Sequence, residues 1–78
     1  DLNSWKRPEV FEEIAEVAEL DSEEMLKTFN CGIGMIVIVS EEDHHVALEI
    51  LNNYHKAFRI GFVSHRKREN KIEYWGTF

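Results

Sequence analysis

Seventy-eight residues amount to one small domain or a piece of a larger one; such a chain buries only about 60% of its unfolded surface, leaving a thin core and little room for a self-contained enzyme. A composition of 44% hydrophobic and 31% charged residues excludes a disordered chain, and the single cysteine, Cys31, excludes a disulfide-stapled secreted domain and points to a reducing compartment. The net charge of −6 resides in residues 1–30, where nine acids face three bases, and this acidity opposes non-specific binding to nucleic acid.

Pro8 suits the first turn of a helix, and Val10, Phe11, Ile14, Val17 and Ala18 follow at helical spacing, which predicts a helix over about 8–19. Asp21, with Glu24 three residues on, forms a capping-box-like start for a second, short helix that carries Met25, Leu26 and Phe29 and ends near Thr28. Asn30-Cys31-Gly32 breaks the pattern. Ile33 to Val39 is then apolar at both parities, as expected of a strand covered on both faces.

Ser40 and Asp43 predict the cap of a third helix over about 41–55, with Ala47, Ile50, Leu51 and Tyr54 on its apolar side. Phe58, Ile60 and Phe62 alternate with Arg59, Gly61 and Val63 as in a strand. His65 to Asn70 reads as a loop, and Ile72 to Trp75 as a short strand returning antiparallel to the one before it. The predicted order is α-α-β-α-β-β, an α/β (α+β) class with a mixed sheet, in which Ile33 to Val63 forms a right-handed parallel crossover and strand edges are left for other partners. Residues 1–7 read as a linker, 8–64 as the core and 65–78 as a hairpin and tail.

The start at Asp1 has no basic region followed by an apolar one, and no apolar run approaches the roughly 20 residues of a membrane helix, so neither export nor insertion is expected. The absence of an initial methionine reads as the excised tail of a longer protein or as tag removal.

Thr28 to Met35 is the most unusual stretch, because two glycines one residue apart at the entrance of a buried strand are costly unless the backbone bends sharply or something approaches it closely. A bulge or tight corner and a ligand-contacting segment both account for it, and Gly-x-Gly here lacks the third glycine and following helix of a dinucleotide fingerprint. Cys31 reads as buried packing rather than a nucleophile, since no histidine is placed beside it by sequence. His44, His45, His55 and His65 match no compact metal-ligand motif. His65-Arg66-Lys67-Arg68, without interleaved aromatics, reads as a solvated hairpin loop; Glu12, Glu13 and Glu16 read as a solubilising face, and Trp5 and Trp75 as packing or interface residues.

Trp5, Pro8 and Phe11, the block Glu24-Met25-Leu26-Lys27-Thr28-Phe29-Asn30-Cys31-Gly32-Ile33-Gly34-Met35-Ile36-Val37, and Phe58-Arg59-Ile60-Gly61 together resemble the C-terminal end of the phosphoribosylformylglycinamidine cyclo-ligase (AIR synthetase) family, from about Ser4 to Val63. The resemblance implies a fragment of a three-layer α/β/α C-terminal domain. It also implies a part in an ATP- and magnesium-dependent ring closure in purine biosynthesis, which converts formylglycinamidine ribonucleotide to aminoimidazole ribonucleotide in a cytoplasmic homodimer. The N-terminal ATP-binding domain of such an enzyme would be this chain's partner. The 78 residues alone lack that domain, so no bound cofactor and no catalysis are expected of them. Carried over by position, Asn30, Gly32 and Gly34 would face the substrate cleft, Asn30 with its amide and the glycines by permitting close backbone approach; no residue is assigned to catalysis or to metal. Ala18 stands where the family usually has glycine, which leaves the corner between the first two helices open, and Lys27 stands where arginine is common. From a different class, a free-standing, non-catalytic β-α-β-β module that binds a small ligand or associates edge to edge also fits the small size.

Overall fold

The computed structural model describes residues 1–78, which fall into two compact units: residues 1–5 with 38–77, and residues 6–37 with Phe78. In the second unit α1 spans Glu9–Val17 and α2 spans Ser22–Thr28. Pro8 precedes α1 in an extended conformation, and the carbonyl of Pro8 accepts from Phe11 N at 3.0 Å. The end of α1 is a Schellman motif: Leu20 N donates to Ala15 O at 2.9 Å, Glu19 N donates to Glu16 O at 3.3 Å, and Glu19 has a φ of 54°. The left-handed residue at this corner is therefore Glu19, one position beyond Ala18, where the family resemblance implies glycine.

Asp21 caps α2 as its spacing predicts, its side chain accepting from Glu24 N at 2.9 Å. The reciprocal half of the capping box is not made. Glu24 and Glu23 instead approach Lys27, at 3.7 and 3.3 Å, and the hydrogen bond and charge of Glu23 hold the Lys27 ammonium above its ordinary pKa. Met25 and Cys31 are fully buried in this unit, and the Phe11 and Phe29 rings meet at 6.2 Å. The inner side of α1 is Phe11, Ile14 and Ala15; Val10 and Val17, placed on the apolar stripe by periodicity, are exposed.

In the first unit a 3-10 turn over Glu41–Asp43 leads into α3, His44–Asn52. The helix is shorter than the predicted 41–55, and its half-buried face is His44, Ala47 and Leu48 rather than the side carrying Ile50 and Tyr54. Ser40 makes no backbone cap; its hydroxyl donates to the Asp43 carboxylate at 2.9 Å. Asn52 closes the far end by donating to Leu48 O and accepting from Ala57 N, at 2.8 and 2.9 Å. Arg59 reaches Glu41 through two bonds of 3.3 and 3.2 Å, fastening the stretch after α3 to the turn before it.

The expected mixed sheet is absent: the chain has three α-helices and no strand, so the α/β class and the α-α-β-α-β-β order are corrected to a helical fold with long unpaired segments. A ladder needs exchanged N–H and C=O pairs between neighbours, and the 78 residues do not supply them. Residues 58–63 and 72–75 do not pair; Ile60 O accepts from Asp1 N at 2.6 Å and Trp75 O accepts from Leu2 N at 2.9 Å. Between the two segments the rings of Phe62 and Trp75 meet, at 5.7 Å. Met35 to Val39, expected to be sandwiched between helices in a parallel crossover, makes no backbone hydrogen bond and keeps between 42% and 84% of its residue surfaces in solvent.

Replacing Glu19 by glycine removes a steric cost of about 1–2 kcal/mol at the left-handed position and adds back about 0.5–1 kcal/mol of unfolded-state entropy. Glu19→Gly is therefore expected to raise the denaturation midpoint slightly, whereas Asp21→Ala, which removes the α2 cap, lowers stability by about 1 kcal/mol; urea titration followed by circular dichroism measures both.

Candidate functional site

The segment singled out by its glycines follows α2 directly. Asn30 Oδ1 accepts from Gly32 N at 2.9 Å and Asn30 O accepts from Ile33 N at 3.0 Å. The two central residues, Cys31 and Gly32, have φ of 52° and 101°, the positive pair of a type I′ turn. The sharp corner is thus real, and Gly32 serves it directly. Cys31 adopts a conformation that a non-glycine residue holds at a cost of roughly 1–2 kcal/mol. Burial compensates: its side chain is fully enclosed, and its thiol donates to Met25 O at 3.7 Å.

Gly34 behaves differently. A β-carbon at that position would meet nothing within 4 Å, and its φ lies outside the left-handed region, so no group of this chain requires glycine there. Asn30 is exposed; its amide oxygen is committed to the turn, and its Nδ2 has no hydrogen-bond partner. The turn accordingly presents one amide N–H₂ group beside a stretch of backbone that another molecule can approach closely.

The environment of Cys31 does not suit nucleophilic chemistry. Burial pushes the thiol pKa up, and the nearby Arg7 guanidinium offsets this only in part. Arg7 itself lies over the Phe78 ring, 4.4 Å from its centroid, with its Nε buried and without a hydrogen-bond partner. His44 and His45 lie with ring centroids 3.9 Å apart at the start of α3, and His44 Nδ1 contacts Glu41 O at 2.7 Å. No three His, Cys, Asp or Glu side chains converge as metal ligands. The basic loop after Val63 lies in the first unit, in a groove beside Phe62 and Trp75. Sequence spacing missed this neighbourhood because Trp75 lies ten residues beyond His65; the signal was an aromatic residue flanking the loop on each side.

Because the folded thiol is harder to ionise than the unfolded one, the unfolded chain loses its proton first as pH rises. The contribution of Cys31 to stability is complete below the ordinary thiol range, near 8.5, and falls as pH climbs through the folded value. Iodoacetamide labelling at pH 7.5 is therefore expected to be slow in buffer and fast in denaturant; equal rates would show an open thiol.

No helix is long and apolar enough to cross a membrane. The family described as AIR synthase related protein, C-terminal domain, matches residues 1–72. Among curated proteins, the chain is 45% identical over 65 residues to a phosphoribosylformylglycinamidine cyclo-ligase of Oceanobacillus iheyensis, covering 82% of this chain and 19% of that protein. It is 52% identical over 44 residues to the enzyme of the same name from Pyrococcus furiosus, covering 56% and 13%. To that of Neisseria meningitidis serogroup C it is 35% identical over 68 residues, covering 86% and 20%. The chain thus spans about a fifth or less of the length of these relatives. No solved structure matches it significantly. With nearly the whole chain matched, and the Asn30–Gly34 turn inside the matched region, the protein belongs to the AIR synthase related family, as a part of its C-terminal domain.

Proposed function

We propose that this chain is the C-terminal part of an ATP-dependent cyclo-ligase that converts formylglycinamidine ribonucleotide to aminoimidazole ribonucleotide in purine biosynthesis. In that reaction the substrate's amide oxygen takes a phosphoryl group from magnesium-bound ATP, and the amidine nitrogen then closes the ring by displacing phosphate. ATP and magnesium belong to an N-terminal domain that pairs with this one, within a cytoplasmic homodimer. The family match over residues 1–72 carries the reading.

Two features of the chain support it. The exposed run Met35 to Val39, five consecutive large apolar residues, is costly in water at roughly 25 cal/mol per Å² of apolar surface, and a large partner surface would relieve that cost. The turn supplies what a cleft wall needs: Nδ2 of Asn30 can donate to a polar oxygen of the substrate, Gly32 sets the bend, and Gly34 leaves the backbone bare for close approach. The chain provides positioning groups in this scheme and no proton-transfer or nucleophilic residue.

The test is a chimera in which residues 1–72 replace the corresponding segment of the Oceanobacillus iheyensis relative. ADP release that depends on formylglycinamidine ribonucleotide is the readout. The chimera is expected to turn over, and the isolated chain is not. Asn30→Ala should lower kcat/KM about 10-fold or more, in line with about 1.4 kcal/mol for one lost hydrogen bond to a substrate group. Gly34→Val should raise KM without unfolding the chain, because space for the side chain exists. A folded chimera without activity overturns the assignment.

A further inference from the structure

Residues 62–75 form an open groove of about 290 Å³ that the cyclo-ligase reading does not use. Phe62 and Trp75, with rings 5.7 Å apart and inclined at 43°, stand on its walls together with Ile72. Phe62 is 64% exposed and Trp75 45%, so aromatic surface is open to a ligand. Arg66, Lys67 and Lys71 line the same groove, with Glu73 as its one carboxylate.

The charges here are unbalanced in a way unusual for this chain. Four cations, Arg66, Lys67, Arg68 and Lys71, accompany only Glu69 and Glu73 in a protein of net charge −6. None of the four has a carboxylate within ion-pair distance; the ion pairs of the chain are confined to Lys27, His44 and Arg59. Arg66 is folded back on the loop, donating through Nε to Arg68 O at 3.1 Å and through Nη2 to Glu69 O. Its charge is thereby fixed in place while Lys67 and Lys71 keep their ammonium groups uncommitted.

An aromatic wall beside preplaced, unneutralised cations suits a ligand with a planar ring and an anionic group. The geometry points to a binding site for a small organic phosphate bearing a planar ring, with the ring against Phe62 and Trp75 and the phosphate between Lys67 and Lys71. A polymer is the poorer occupant. The net charge of the whole chain repels an extended polyanion, whereas a single phosphate senses mainly the local excess of cations. The groove also holds about one ring and one phosphate rather than a strand of nucleotides.

The inference is independent of the cyclo-ligase reading and is tested without that reaction. Phenyl phosphate is titrated into ¹⁵N-labelled protein, with inorganic phosphate and a single-stranded oligonucleotide as parallel probes. Phenyl phosphate is expected to shift the Trp75 indole N–H and the amides of residues 63–72 saturably, leaving the Trp5 indole unmoved, with a Kd at least 10-fold below that for inorganic phosphate. The double variant Lys67→Gln, Lys71→Gln changes two exposed side chains, and its unchanged spectrum elsewhere reports that it is folded; it should weaken binding 10-fold or more. No saturable shift, an equal response to inorganic phosphate, tighter binding of the oligonucleotide, or undiminished binding by the double variant would each overturn the proposal.

Discussion

Two hydrogen bonds that both end on Asn30 turn the chain out of α2 and set everything that follows in its unit. They force Cys31 and Gly32 into positive φ. The chain tolerates that at Cys31 because the small thiol fills the space beside Met25, and these are the two fully enclosed side chains of the protein. The strained residue and the buried residue are the same one, so local backbone cost is offset by desolvation of a small apolar group. The reversal then delivers Gly34 to open space and leaves the asparagine amide nitrogen facing outward.

Features written in adjacent residues were legible in the sequence. Asp21 announces α2 because a cap acts across three residues, and the break at Asn30 is readable because asparagine two before glycine is a turn signal in itself. Ser40 misled in its partner, choosing a carboxylate over the backbone, and in the start of α3, which lies at His44 beyond a 3-10 turn. The left-handed Cys31 was not legible, since it depends on burial under α2, which no local pattern reports.

The sheet was misread for a physical reason of the opposite kind. Ile33 to Val39 has the continuous apolar run of a buried strand and Phe58 to Val63 the alternation of a two-faced one, but a strand is defined by what lies beside it. Here Asp1 and Leu2 take the carbonyls of Ile60 and Trp75, and nothing pairs with Met35 to Val39. In the candidate site, the glycine spacing drew attention to the corner after α2 without separating its two glycines. Gly32 answers a backbone demand from within the chain, whereas Gly34 answers none.

The way Leu2 is buried bears on the order in which the chain can mature during synthesis. Leu2 is the buried residue of its unit, and its amide is held by Trp75, while Asn3 accepts from Thr77 N at 3.2 Å. During synthesis residues 1–5 emerge well ahead of residues 75–77, so Leu2 must stay uncovered until the last of these neighbours emerges. Contacts this distant in sequence close the largest loops and form slowly. The unit built on residues 6–37, whose contacts are local except for that of Phe78, can therefore fold early, while residues 1–5 ahead of it wait for residues 75–77.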